Sequence, residues 1–232
     1  MLASWEEKYH THAIFRLFEV CSEGDDLIFF LPEKKLRFPM LRQQHPSAPG
    51  EPNLCLADFI RPLSQGIRDQ VGVFCTSVDG TIIDEYRHDD YLNMMAQTLC
   101  DRLAEATAEK LHEEVRIDRA YWGYAPDENL TIEQQHREEY QGIRPAIGYP
   151  SLPDTSANFL IDQLIDMKQA GIRLTETGMM TPHASVSGFM FAHPKSRYFE
   201  LGKIGDDQLR DYARRRGVPV ELMRRFLAVN SL

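Results

Sequence analysis

Apolar positions along the chain follow two different periods, and the change of period marks out the elements. Ala13-Ile14-Phe15-Arg16-Leu17-Phe18-Glu19-Val20 and Leu27-Ile28-Phe29-Phe30 are short runs rich in Phe and Ile, separated by Ser22-Glu23-Gly24-Asp25-Asp26. Two such runs around a Gly/Asp turn predict a β-hairpin. Residues 71–76 form another short apolar run bounded by turn residues, the pattern of a buried strand. Between them, residues 43–53 hold Pro46, Pro49, Gly50 and Pro52 and read as a loop. At 91–116 the period becomes helical. Leu92, Met95, Leu99, Leu103, Ala106, Leu111 and Val115 recur near 3.6-residue spacing without Gly or Pro, which predicts a long helix with these residues in the core. Its other face carries Asp101, Arg102, Glu105, Glu109, Lys110, Glu113 and Glu114, and such a run ordinarily faces solvent.

Further on, Thr131 stands three residues before Gln134, a capping-box signature for a helix reaching about Gly142. Residues 156–170 are amphipathic through Leu160, Ile161, Leu164, Ile165 and Met167 and are stopped by Gly171, so they predict one helix. Residues 185–192 read as a strand. Residues 198–204 read as its hairpin partner, joined through His193-Pro194-Lys195-Ser196-Arg197. Two short helices, 206–216 and 220–228, close the chain with Gly217 between them. Long helices interleaved irregularly with hairpins argue for an α+β fold rather than a βαβ nucleotide fold.

Composition narrows the function classes. The chain has 232 residues, 43% apolar and 26% charged, enough for one large or two small domains with an ordinary core. No apolar run approaches the roughly 18 residues of a membrane span. The start, Met1-Leu2-Ala3-Ser4-Trp5-Glu6-Glu7-Lys8, lacks the basic and apolar regions of a signal peptide. The 26 Lys and Arg against 35 Asp and Glu leave a net charge of −9, a poor match for nucleic acid. The four cysteines, Cys21, Cys55, Cys75 and Cys100, are widely spaced. That suits neither a disulfide framework nor a zinc site, and implies a reducing, cytoplasmic compartment. Rossmann, P-loop, zincin and nucleophile-elbow motifs are absent, so no metal site is expected.

One segment has the composition of a rigid ligand loop: Tyr140-Gln141-Gly142-Ile143-Arg144-Pro145-Ala146-Ile147-Gly148-Tyr149-Pro150. Its two Gly and two Pro prevent regular structure and fix the backbone at set places. Arg144 and Tyr149 are the side chains left to project. An Arg on a stiff loop can clamp a carboxylate through two parallel hydrogen bonds, and a Tyr ring can stack on a heterocycle. The main chain at Ala146 can offer an N–H or C=O to a planar ligand edge. The same composition also suits a Pro/Gly turn with Arg144 in a structural ion pair, and the residues alone leave both open.

Arg144-Pro145-Ala146-Ile147-Gly148-Tyr149-Pro150 resembles the R-P-A-x-G-Y-P motif of the activation domain of cobalamin-dependent methionine synthase. Tyr121-Trp122-Gly123-Tyr124-Ala125-Pro126-Asp127-Glu128-Asn129-Leu130 is similar to the family's W-G-Y-A-P-x-E-N-L stretch. Leu54-Cys55-Leu56-Ala57-Asp58-Phe59, Ser185-Val186-Ser187-Gly188-Phe189 and His193-Pro194-Lys195-Ser196-Arg197-Tyr198 match family blocks in the same order. The resemblance runs from about Ala13 to Leu227 and implies a single domain, 1–232, with long helices packed on a twisted antiparallel sheet. It implies that the domain binds S-adenosylmethionine and presents its methyl group to cobalamin carried by a partner. The partner would be the cobalamin-binding part of methionine synthase or another corrinoid protein. The implied outcome is reductive methylation of cob(II)alamin, with the electron coming from a flavodoxin-like or flavoprotein donor.

Family contacts to S-adenosylmethionine carry over to Arg144, Tyr198 and Phe199, and further to Ala146, Tyr149 and Glu105. Arg144 would meet the methionyl carboxylate and Glu105 a positive group of the ligand. Phe199 stands where the family can have Tyr, so a contact needing that hydroxyl is lost. Asp101, one helical turn before Glu105, carries over as the acid that receives the histidine released from cobalt. Cobalt itself is the methyl acceptor, so no catalytic side chain is expected, and the chain is at most part of a methyltransferase of methionine biosynthesis.

The resemblance also implies an earlier segment that supplies a ligand-contacting Asp, which residues 1–11 do not resemble, and no D-x-H-x-x-G cobalamin signature is present. The expectation is therefore a stand-alone reactivation module acting in trans. The alternative is a degenerate docking or structural module that no longer uses S-adenosylmethionine. An independent methyltransferase is a third reading, opposed by the lack of a recognisable general base. Arg210, Arg214, Arg215, Arg216, Arg224 and Arg225 either face an acidic electron-transfer protein or form a solvated helix pair.

Overall fold

The hairpin expected at 13–30 is the beginning of a larger sheet. The computed structural model describes residues 1–231, so the last residue of the expected 1–232 domain, Leu232, lies outside the described residues. After a four-residue helix α1 (Leu2–Trp5), strand β1 (Thr11–Glu23) turns through Gly24 and Asp25 into β2 (Asp26–Phe30). Gly24 has φ of 59°, the left-handed backbone that a two-residue hairpin turn requires. The register pairs Val20 with Phe29 and Glu23 with Asp26. A further strand, β3 (Lys35–Pro39), pairs antiparallel with β2 and was not expected, although Lys35-Leu36-Arg37-Phe38 alternates exposed and buried. With β4 (Asp69–Val78) and β7 (Ser185–Met190) the antiparallel sheet has the order β3-β2-β1-β4-β7. The α+β class is therefore as the sequence implied. A separate two-stranded ribbon, β5 (Arg173–Leu174) with β6 (Met180–Thr181), completes the strands among the described residues.

The chain falls into two compact units. One comprises Met1–Arg16, Val73–Pro126 and Ser156–Gly188; the other comprises Leu17–Gly72, Asp127–Thr155 and Phe189 onward. The first unit is dominated by α2 (Asp90–Ile117), the long helix expected at 91–116. Asp89 caps it, its carboxylate accepting from the Leu92 N–H at 3.0 Å. The buried face agrees with the expected one only toward the helix's C-terminal end, at Leu111 and Val115. Ala96, Cys100, Ala104, Ala108, Leu111, His112 and Val115 are buried, whereas Leu92 and Met95 are 38% and 37% exposed. Side-chain size decides this. A stripe of small residues at i, i+4 spacing lets the helix backbone approach β4, close enough for the Thr76 hydroxyl to donate to the Ala104 carbonyl at 3.1 Å.

Two other helices are shorter than their patterns. Thr131 and Gln134 form the expected capping box, but α3 covers only Ile132–His136, because Glu138 adopts a left-handed φ of 56°. The helix expected over 156–170 breaks into α4 (Asn158–Ile165) and a 3₁₀ turn (Met167–Ala170). Asp166 is left-handed at the break, and the Asp162 carboxylate accepts from the Met167 N–H at 2.9 Å, offering the backbone a bond outside the helix. The pairing of 185–192 with 198–204 does not occur. Residues 198–204 form no strand, Gly202 turns them left-handed at φ 71°, and their amides bond elsewhere: Leu201 to the Pro150 carbonyl at 3.0 Å and Ile204 to that of Asn230 at 2.8 Å. Phe199, Leu201 and Ile204 are apolar because each is buried, not because they form a ladder.

In the second unit α5 (Asp206–Arg216) and α6 (Val220–Phe226) pack Leu209, Tyr212, Ala213 and Met223 with Leu41, Leu201, Ile204 and Leu227. Gly217, left-handed at φ 65°, separates the two helices as expected. At the end of α5, Arg216 donates to the Asp154 carboxylate at 2.7 Å, and the Tyr212 hydroxyl donates to the same oxygen at 2.9 Å. Asp154 and the Arg216 side chain are almost fully buried.

Two stability measurements test this packing. Ala104→Leu should cost about 1–3 kcal/mol in urea unfolding, as overpacking of a close contact does, while Leu92→Gln should stay within about 0.5 kcal/mol. The reverse order would restore the larger residues as the core face. Asp154→Ala should cost about 3–5 kcal/mol, because it leaves the Arg216 charge buried without this carboxylate. A loss below about 1 kcal/mol would show that the pair is dispensable.

Candidate functional site

The segment 140–150 lies in the second unit, beside the end of β7. Ile143 and Phe191 exchange both backbone hydrogen bonds, at 3.0 and 2.9 Å, and the Phe189 N–H donates to the Pro145 carbonyl at 3.0 Å. Pairing extends no further through Pro145 itself, which has no N–H. At the leading end, the Gln141 N–H donates to Glu128 at 2.9 Å and the Gln141 side chain donates to the Ala192 carbonyl at 2.9 Å. At the trailing end, Gly148, left-handed at φ 90°, donates to the Leu152 carbonyl at 2.7 Å, and Tyr149 donates to that of Ala146 at 3.3 Å. The segment is thus held from both ends, with Ile143 and Pro145 buried and Arg144 between them half-buried.

Tyr198 reaches this loop because the chain reverses just after β7. In His193-Pro194-Lys195-Ser196-Arg197, the Ser196 N–H and hydroxyl both donate to the His193 carbonyl, at 2.9 and 2.7 Å. The Tyr198 hydroxyl then accepts from the Arg144 N–H at 2.8 Å, and the Tyr140 hydroxyl lies 3.4 Å from it. Burial, followed by the neighbouring Tyr198, holds the Tyr140 phenol well above its ordinary range, so it stays protonated. Phe199 is buried next to Tyr198. Tyr149 is 47% exposed, its ring at the surface as expected. Ala146 departs from expectation in part: it is buried, and its carbonyl closes the turn by accepting from Tyr149.

Arg144, Ala146, Tyr149, Tyr198 and Phe199 all belong to this unit. Glu105 and Asp101 belong to the other, both on α2. Glu105 accepts from Arg102 at 2.7 Å, and Asp101 lies 3.3 Å from the His183 ring nitrogen. The six arginines read in sequence as either a docking face or a helix pair. Arg210 and Arg224 meet Asp206, Arg214 and Arg215 meet Asp211, Arg215 also meets Asp26, and Arg216 meets Asp154. Five of the six cations thus face a carboxylate within the unit, which favours the helix-pair alternative.

Thiolate chemistry has no support. Burial pushes the Cys55 and Cys75 thiols up to about 12 and that of Cys100 to about 11. Among the described residues no helix is long and apolar enough to cross a membrane, and no three His, Cys, Asp or Glu side chains are grouped as metal ligands. The sequence reading passed over Tyr140, Gln141 and Glu128 as individual contributors. For Tyr140 and Gln141 the available signal was their place in the Pro/Gly-rich run; Glu128, twelve residues before Tyr140, was marked only by its place in the Trp122–Leu130 string.

The whole chain is similar to a crystal structure of the MetH reactivation domain bound to AdoHcy. The two share 41% identity, the match covers 100% of this chain and 74% of that one, and the TM-score is 0.90. Residues 1–217 match the family described as vitamin B12 dependent methionine synthase, activation domain, so the match also takes in residues ahead of Ala13, where the motif-based resemblance began. The chain belongs to the activation-domain family of vitamin B12-dependent methionine synthase.

Proposed function

We propose that this chain binds S-adenosylmethionine at the Arg144-Pro145-Ala146 loop and supports the reductive methylation of cob(II)alamin held by a partner. The observation that carries the reading is the fixed geometry of Arg144, whose flanking residues pair with Phe189 and Phe191 and whose N–H is held by the Tyr198 hydroxyl. The AdoHcy bound by the 41% identical reactivation domain supports the same ligand class, since AdoHcy is S-adenosylmethionine without its methyl group.

The residues present fit the ligand by their chemistry. A guanidinium and a phenol suit a carboxylate, and an exposed Tyr149 ring on a rigid turn suits a heterocycle. When bound, S-adenosylmethionine supplies an electrophilic methyl group. Arg144 and Tyr198 orient the ligand through its carboxylate end; buried Ala146 and Phe199 give that end a fixed, apolar backing. The chain's part is positioning and charge complementarity, with no side chain acting as acid or base. For Glu105 and Asp101 the proposal rests on the resemblance, and any incoming cation competes with Arg102 or His183. The partner is the cobalamin-binding part of methionine synthase or another corrinoid protein, with a flavodoxin-like or flavoprotein electron donor, in the cytoplasm.

Calorimetric titration with S-adenosylmethionine and S-adenosylhomocysteine tests the reading. Wild type should bind both, and Arg144→Ala should weaken binding at least about ten-fold, the loss of a charge-assisted bidentate pair. Arg144→Lys should be nearly as harmful, because a point charge does not reproduce the planar fork. Equal affinity of wild type and Arg144→Ala would put the carboxylate elsewhere. No binding by wild type would favour a docking module that has lost the ligand.

A further inference from the structure

We propose that Tyr140 is a positioning residue of this site: its hydroxyl turns that of Tyr198 so that the single Tyr198 hydrogen is directed at the ligand's carboxylate. The inference deepens the binding function proposed above and rests on it.

A phenol has one hydrogen to donate and two lone pairs that accept. On Tyr198 one lone pair takes the Arg144 N–H at 2.8 Å. The Tyr140 hydroxyl, 3.4 Å away, admits two arrangements. If Tyr198 donates to Tyr140, its hydrogen is spent and it turns a lone pair toward any anion beside Arg144, which repels it. If Tyr140 donates to Tyr198, both lone pairs are filled and the Tyr198 hydrogen is left for the anion. A carboxylate therefore selects the second arrangement. The resulting chain, Tyr140 to Tyr198 to carboxylate, is polarised along its length, so each bond strengthens the next. At 3.4 Å the contact is long for an O–H···O bond, so it contributes little until an anion draws on it. Burial keeps Tyr140 protonated and able to donate throughout the neutral range.

A ring alone would fill this half-buried position, so Tyr140→Phe removes the donor while keeping the packing. The experiment is a double-mutant cycle of Tyr140→Phe and Tyr198→Phe, read by calorimetric titration with S-adenosylhomocysteine. A parallel titration uses 5′-methylthioadenosine, which has the nucleoside and sulfur but no carboxylate. Tyr140→Phe should weaken S-adenosylhomocysteine binding about three- to ten-fold, the range for one uncharged hydrogen bond. In the Tyr198→Phe background the same change should cost less than about two-fold, because the relay is already cut. Affinity for 5′-methylthioadenosine should be the same with and without the Tyr140 hydroxyl.

Wild-type affinity in Tyr140→Phe overturns the inference and leaves the binding function standing. An equal loss in both backgrounds, or an equal loss for 5′-methylthioadenosine, overturns it in favour of a packing role. Failure of the wild type to bind S-adenosylhomocysteine removes the binding function and the relay with it.

Discussion

Two backbone hydrogen bonds between Ile143 and Phe191 hold the candidate site together. The segment 140–150, with its two Gly and two Pro, has no regular structure of its own and would otherwise be mobile. Ordering a residue costs about 1–2 kcal/mol of backbone entropy, and a loop that ordered only on binding would take that from ligand affinity. Pairing with the residues at the end of β7 places this cost in folding instead. Each special residue then has a definite role. Pro145 ends the pairing, Gly142 and Gly148 supply left-handed corners at φ 88° and 90°, and Arg144 is carried between two buried neighbours.

Electrostatics in the same unit follow from an acidic chain that has to place its arginines. Arg215 meets Asp26, a buried residue 189 positions earlier in the chain, and also donates to the Met40 carbonyl at 3.0 Å. Arg216 meets buried Asp154 in the stretch that follows the 140–150 loop. These contacts tie α5 to the first strands of the unit and to the chain leaving Tyr149 and Pro150. A buried pair of this kind is costly to break but adds little over a well-packed apolar pair, so its clearest contribution is to fix which segments meet. Arg210, Arg214 and Arg215 find a carboxylate within one helical turn, whereas Asp26 and Asp154, the partners that bury Arg215 and Arg216, are distant in sequence.

What was legible in the sequence was local. The hairpin at 13–30, the helix at 91–116 and the helix at 206–216 each declare themselves through a turn, a period or a stop signal within their own residues. Hydropathy located the buried face of α2 at Leu111 and Val115 but missed it over the first turns, because close packing selected Ala96, Cys100, Ala104 and Ala108 for size while Leu92 and Met95 stayed partly exposed. It also misassigned 198–204, since closely spaced apolar residues such as Phe199, Leu201 and Ile204 read alike whether they line a strand or insert singly into a core. Arg144 was legible as a member of a rigid loop. Its bond to Tyr198, 54 residues away, follows from tertiary structure that no spacing encodes.

Three of the strings that carry the family resemblance meet at the Arg144 loop. Phe189, the last residue of Ser185-Val186-Ser187-Gly188-Phe189, and Phe191 just beyond it are where the loop is pinned. His193-Pro194-Lys195-Ser196-Arg197 is a reversal, closed by the His193 carbonyl accepting twice from Ser196 and the His193 ring accepting from the Lys195 N–H at 3.1 Å. The loop bonds to the strand before the reversal, and Tyr198 arrives after it, so the reversal sets where the phenol meets the Arg144 amide. His193 can thus be accounted for without any catalytic part. A change in the length of the five-residue turn would displace the hydroxyl from Arg144 while leaving the loop paired with Phe189 and Phe191. The strings occur together because the loop, the strand and the returning tyrosine position one another.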